Sequence, residues 1–583
     1  MRKLFIISFL AISVLTLLAL RKGSQFINSA ARTDLEAVGC APATGSTTIR
    51  PDDQGKFAPL FAGWGHYSFK VHTNNDSAQL YFDQGFNLYY SYHLTEALAS
   101  FKEAARFDPE CTMAYWGQAL SMGPYYNSYT YKMPAAVLPV LEQMNRTAAN
   151  ASSKEKELAS VMGKRYSADV SDSHRKRLNR DYAEGLLQLL KEYPDDIDIK
   201  ALYVDAVMLE HSWDFWTTDG QPRSWTAELV DTCDAILKIH PSHPAALHYK
   251  IHLVEASRHP EEALAAADSL QTSMPGVPHM VHMSSHMYQR NGQYAKGIEV
   301  NDKASQLAVQ YDTVGRNLNL GLFAQTHFDG VETYCALNAN MYGKAIQTSY
   351  HLRKIILRSY KSRLTNPFFQ YLYMMPMLVY VRSGKWKVAM DEPAPDSSQH
   401  FAYLLYEFGK GMACLRLHKM DSAERHLERL RLWLKDSSLI VRILPFNAPI
   451  EGAKIAEAIL AGEICFSKKD YKGAIQWLEK GVAIEDAMIY REPKDWPIPV
   501  RHYLGDCLLK LHRPADAEKV YRQDLVHNPG NGWGLLGLAM SMESQPQFRD
   551  WHYERYGQEA IGYVAEYHRA FAKAEEVPTA SVY

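Results

Sequence analysis

The chain alternates apolar and polar residues with helical spacing almost from end to end, and the exception comes first. Arg2-Lys3 precede an apolar run from Leu4 to Leu20, broken only by Ser8, Ser13 and Thr16. A short basic start followed by such a run is an export signal. As a helix it would extend about 26 Å, a little under a bilayer core. It is therefore expected to be either a cleaved signal peptide (1–31, with Ser29-Ala30-Ala31 as a small-residue site) or an N-terminal anchor, with Arg21-Lys22 behind it. Residues 32–75 hold Gly39, Pro42, Gly45, Pro51 and Gly55 without helical period and read as a linker or extended arm. Alternating β-branched runs bounded by Asn-Gly turns do not occur, so strands are not expected.

Beyond residue 76 the pattern repeats. From Ala78 to Cys111, 34 residues carry Gly85, Ala97, Phe101, Ala104 and Pro109; from Ile498 to Asn531, Gly505, Ala517, Tyr521 and Pro529 take the same slots. These are the small, aromatic and helix-ending positions of a tetratricopeptide repeat, a helical hairpin whose face is buried only by stacking on its neighbours. Weaker units run over Pro244–Val277 (Ala263, Pro275) and Pro278–Tyr311 (Gly297, Ala304). Further helix turns are expected at Gly343-Lys344-Ala345, Gly384-Lys385-Trp386, Asp421-Ser422-Ala423 and Lys472-Gly473-Ala474. The predicted fold is an all-α solenoid of tetratricopeptide-type hairpins wound as a right-handed superhelix, with arrays at 76–315 and 316–583 and a concave groove lined by the first helix of each hairpin.

Histidine placement changes this generic picture. ALHYKIHLVEASRH from Ala246 and PHMVHMSSHMY from Pro278 put His248 and His252 four residues apart, and His282 and His286 likewise, with 34 residues between the pairs. Each pair takes the fifth and ninth slots of its hairpin; Glu255 takes the twelfth slot of the first unit and His279 the second slot of the next. These slots face the groove, and residues i, i+4 and i+7 share a helix face. Packed helices lie about 8–10 Å apart, a gap that imidazoles from both sides can close. Neutral imidazole suits zinc, copper or iron, and a carboxylate supports the harder ions. The expected metal ligands are His248, His252, His279, His282, His286 and Glu255, with Glu255 alternatively a general base. Met280, Met283 and Met287 lie about 100° away around the helix and read as core. His240, His243 and His259 fall in turns.

Other groove candidates are Trp213, Asp214, Trp216 and Arg223 in the loop EHSWDFWTTDGQPRSWT, with Asp219 beside them, read either as a cover or as an aromatic plug. His502 and Asp506 occupy the fifth and ninth slots of the last clear unit. Phe82, Phe86, Tyr89 and Tyr90, then Tyr125, Tyr126, Tyr129 and Tyr131, form aromatic stripes that read mainly as core. No nucleophile elbow, phosphate loop, dinucleotide fingerprint or HExxH is present.

With 63 Lys+Arg against 65 Asp+Glu the net charge is −2, which excludes a polybasic nucleic-acid binder. At 47% hydrophobic and 22% charged residues the composition is that of a folded protein. Seven cysteines without a CxxC pair do not make a disulfide framework.

The blocks FDQGFNLYYSYHLTEALASFKEAARFDPECTMAYWGQALSMGP, HPSHPAALHYKIHLVEAS, HMVHMSSHMYQRNGQY and EPKDWPIPVRHYLGD resemble an exported bacterial tetratricopeptide-repeat family with paired-histidine repeats, over about residues 78–540. The resemblance implies the solenoid but supplies no reaction and no catalytic residue; the N-terminal run adds the expectation of a periplasmic or cell-envelope location. Members often carry a further His-x-x-His before a Met-x-Gly turn. Here Gly330-Val331-Glu332-Thr333 precedes Met341-Tyr342-Gly343, with His327 and Glu332 out of register, so a third ligand-bearing helix is not expected. Two functions follow as expectations. One is an exported scaffold holding a peptide or small ligand in its groove around a metal site. The other is a metal-dependent hydrolase or oxidoreductase using the same cluster. Nucleic acid is not expected as a partner, and membrane contact only through residues 4–20.

Overall fold

The computed structural model describes residues 49–127, 131–314, 323–359, 361–442, 446–549 and 554–583. The segment 1–31 expected to act in export, Tyr129 and the expected boundary at 315/316 lie outside these residues. Among the described residues no β-strand forms, and no helix is long and apolar enough to cross a membrane.

The chain runs as helical hairpins in tandem, and local sequence sets where each helix starts. Asp76–Tyr90 begins at Asn75, whose side chain accepts from the amides of Ser77 and Ala78. Ser152 and Glu155 form a reciprocal capping box before Ser153–Lys164. Proline occupies the first turn of Pro244–Val254, Pro278–Arg290 and Pro514–His527, where its missing N–H costs nothing. Several hairpin turns need one residue in the left-handed region: Gly292, Asn340, Gly384, His418, Lys469 and His512 supply it. At the turn after Asp76–Tyr90 the residue is Tyr92 (φ 58°), a bulky side chain in a conformation that disfavours it.

The repeat's small-and-aromatic pattern is a packing device. A Cβ on Gly505 would stand 2.3 Å from Cζ of Tyr521, and one on Gly537 of the next hairpin 2.2 Å from the same atom. Two helices thus close on one ring, as Gly85 and Gly117 close on Phe101. Exposed Gly562 in Glu554–Ala570 has nothing within 4 Å. Gly562→Ala should therefore gain about 0.5–1 kcal/mol of stability from helix propensity. Gly505→Ala should lose about 1–2 kcal/mol, because overpacking outweighs the same gain. Denaturant melts of the two variants check this, and equal stabilisation by both would refute the packing argument.

Two features close what the sequence suggests is an open groove. Residues 49–75 contain no helix and lie across the first hairpins. There Tyr67 Oη donates to Asp198 (2.6 Å), Phe61 stacks on Tyr311 (4.9 Å), and the Gly276 amide donates to Gly63 O (3.0 Å). At the other end the array folds back on its middle. Gln289 Nε2 donates to Glu492 (2.6 Å), Asn531 Nδ2 to Tyr294 Oη (2.9 Å), and Trp533 Nε1 to Asn338 O (3.0 Å). Arg290 ties both sides of this seam through Glu255 O, Ser257 O and His527 O, each at 2.8 Å.

Candidate metal centre

Six histidines from the first helices of three successive hairpins meet inside this closure. Pro244–Val254 carries His248 and His252, Pro278–Arg290 carries His279, His282 and His286, and Phe323–Asn338 carries His327. All six are at most 3% exposed. They form two three-histidine sets, His248/His252/His279 and His282/His286/His327, each with its ligand atoms within 4.8 Å of one another.

The proton positions follow from the partners behind the rings. His248 Nδ1 faces only a carbonyl, Tyr90 O at 2.6 Å, so it must carry the hydrogen and donate it. His252 Nδ1 donates to Glu255 Oε1 (3.0 Å) and His282 Nδ1 to Asn301 Oδ1 (2.6 Å). Asn301 is held in that orientation because its own Nδ2 donates to Gly297 O (2.7 Å). His286 Nδ1 meets Glu255 Oε2 at 2.6 Å and also Glu492. In a neutral ring protonated on Nδ1, Nε2 is a lone pair. Yet Nε2 of His248 lies 3.1 Å from that of His252 and 3.3 Å from that of His279. Nε2 of His282 lies 3.1 Å from that of His286. A proton on one nitrogen would repair one such contact; three converging nitrogens need something that all of them can bind.

Burial, with neighbouring imidazoles adding to it, holds His248, His252, His279, His282 and His327 well below the ordinary imidazole value. They are neutral at pH 7, the state a metal requires. Burial pushes the Glu255 and Glu492 carboxyls upward, and His286 pulls both back. Glu255 serves both sets, with one oxygen on His252 and the other on His286.

An aromatic wall covers the first set. The Tyr92 ring packs on His248 (4.6 Å), His279 (5.8 Å) and His252 (5.9 Å), and its hydroxyl is buried without a hydrogen-bond partner. Tyr126 stands 4.9 Å from His252, and Trp213 stacks on Tyr126 at 5.3 Å while donating Nε1–H to Asn127 (2.8 Å). A cleft of about 120 Å³ reaches the cluster, with Tyr126, Trp213, Trp216, His252, Glu255 and Arg290 among its lining residues.

The structure therefore brings together His248, His252, His279, His282, His286 and Glu255, with Trp213 and Trp216 at the cleft. It does not bring in the other groove candidates. Asp214 and Arg223 pair with each other at 2.8 Å, both half-exposed and outside the cleft. His502 is buried on Asp524 (2.9 Å) with Arg382 donating to its other nitrogen (3.0 Å), and Asp506 pairs with Lys510 (2.6 Å). His243 caps a helix by accepting from the Ala246 amide (3.3 Å), His240 packs on Tyr67, and His259 pairs with Glu261 at the surface. Met280, Met283 and Met287 are core residues, as are Phe82, Phe86, Tyr89 and Tyr90. Tyr131 Oη donates to Met122 O (3.0 Å).

Despite the out-of-register sequence of the third hairpin, its first helix does bring a histidine to the cluster. His327 joins the second set, although Glu332 does not: it pairs with Lys344 (2.6 Å) and accepts from Thr348 (3.1 Å). His327 escapes the register because it follows His282 by 45 residues rather than 34. The second helix between them, Tyr294–Val314, is 21 residues long against 10 for Leu264–Ser273 in the preceding hairpin. Asn301 carries no sequence signal, and Glu492 opens the block EPKDWPIPVRHYLGD without any spacing that ties it to the histidines.

No protein-family model matches the chain, and no curated protein matches it. Solved structures similar to it include a human IFIT1 dimer with m7Gppp-AAAA, at 12% identity over 87% of this chain and 92% of that one, TM-score 0.30. Others are the Cut9–Hcn1 hetero-tetramer of APC/C (13%; 83% and 76%; TM-score 0.28) and yeast Tom70 (10%; 84% and 89%; TM-score 0.28). Likeness at this level says nothing of what the chain binds or does. What the chain itself displays is a tetratricopeptide-type helical-repeat fold with two buried histidine sets at the centre of its array.

Proposed function

We propose that the chain is a metal-binding helical-repeat protein whose two histidine sets each hold one transition-metal ion. One observation carries this reading: Nε2 atoms converge within each set, while the Nδ1 groups of His248, His252, His282 and His286 are committed to oxygen behind them. Metal-ligating histidines are held by this kind of backing, which fixes the tautomer and aims the lone pair. Glu255 acts as the shared orienting group.

The ligand that reaches the metals is a small molecule. The fold-back at the seam and the size of the cleft leave no run of open groove for an extended peptide at this point. A small ligand entering past Trp213 and Trp216 meets the edge of the first set at His252.

Elemental analysis of the full chain, purified without chelator and dialysed against zinc, copper or iron, tests the reading. Near-stoichiometric metal is expected, two ions per chain. His248→Gln/His282→Gln, which removes one ligand from each set while keeping side-chain bulk, should lower affinity about 10–100-fold or more. Circular dichroism on the variant establishes that it is folded. Parent protein that takes up none of the three metals would sink the proposal.

A further inference from the structure

We propose that the two sets form one coupled dicopper centre that binds dioxygen. This deepens the metal-binding reading and rests on it. The sets are neighbours: across them His252 and His286 ring centroids stand 5.9 Å apart, and His279 and His282 6.1 Å apart. Ions held on the Nε2 sides are close enough to share one small bridging molecule.

The donor set favours copper. Each set offers three imidazole nitrogens; Glu255, which with His252 and His286 makes a third possible group, has its two oxygens on their Nδ1 atoms, and Glu492 also stands behind His286. Iron in oxygen-activating sites takes a carboxylate beside its histidines, whereas imidazole-only sites suit copper, which binds nitrogen donors most tightly among the divalent first-row ions.

Dioxygen needs no outside co-reactant at such a pair: each Cu(I) gives one electron, the O–O bond falls from double to single, and the product is two Cu(II) ions bridged by peroxide. Neither a proton nor an outside reductant is needed for this step. The cleft at His252 gives the gas a route in, and Tyr92, Tyr126 and Trp213 keep bulk water off the first set.

The test uses the full chain, stripped of metal, loaded with Cu(I) without oxygen, and then exposed to dioxygen. Two copper ions should bind, one dioxygen should be consumed per copper pair, and an intense near-ultraviolet charge-transfer band should appear. The oxidised centre should be silent in electron paramagnetic resonance, because the two Cu(II) spins couple through the bridge. His327→Gln should break the pair and expose the full resonance signal of the copper left in the first set. Two bound copper ions that each give a full Cu(II) signal in the parent would overturn the inference and leave the metal-binding reading intact. Zinc uptake with refusal of copper would do the same. A parent that binds no metal defeats both.

Discussion

Glu255→Gln is expected to strip metal from both sets, although it alters none of the six imidazoles. The carboxylate accepts from His252 Nδ1 with one oxygen and from His286 Nδ1 with the other. Glutamine keeps the shape but offers one acceptor and one donor. Its amide N–H₂ would face an imidazole N–H, and the ring can escape that clash only by moving its proton to Nε2. That shift removes the lone pair the metal needs. A loss of about 10–100-fold in affinity is expected, the usual effect of removing a group that orients a metal-bound histidine. Competition titration against a chelator reads it. Glu492→Gln is the comparison, since Glu492 meets His286, and it should weaken the second set more than the first. Unchanged affinity in Glu255→Gln would show that the carboxylate is a bystander.

Arg290→Met is expected to be the most destabilising single change at the seam. Its guanidinium, 4% exposed, donates to Glu255 O, Ser257 O and His527 O, each at 2.8 Å, and lies 5.3 Å over the Tyr490 ring. Methionine fills much of the same space and satisfies none of the three carbonyls. Stranding buried acceptors costs about 1–3 kcal/mol each, and broken buried networks of this kind cost about 3–5 kcal/mol in total. Urea melts should show that loss, and hydrogen exchange should rise across residues 490–531. Arg290→Lys, which can reach one carbonyl but not three, should fall between. A loss under about 1 kcal/mol would mean that the seam is held by its apolar contacts instead.

How far the sequence could see depends on how far apart the partners lie along the chain. The hairpin rules are local, so Gly505 with Tyr521 and Gly85 with Phe101 announce the fold from within one unit. His248, His252, His282 and His286 are legible for the same reason: they copy two slots at the repeat period, and His279 and Glu255 fall on the same faces. His327 is hidden by one lengthened hairpin. Glu492 is hidden more thoroughly, since it reaches His286 only because the array folds back across some two hundred residues, and no periodicity encodes that. The surface pair Asp214–Arg223 shows the converse error, where charged residues near aromatic ones in sequence satisfy each other and not the groove.

The seam also fixes an order of assembly. Hairpins made of neighbours can close as soon as their own residues are available, because their contacts are short in sequence. The bonds from Gln289 to Glu492 and from Arg290 to His527 join residues separated by 203 and 237 positions, and these must wait for the last repeats. Until then His286 lacks one of its two carboxylates and the histidine face is open along its length. On the proposed metal-binding reading, capture that needs the completed interior therefore belongs at the end of folding, after the final hairpins have come home against Pro278–Arg290.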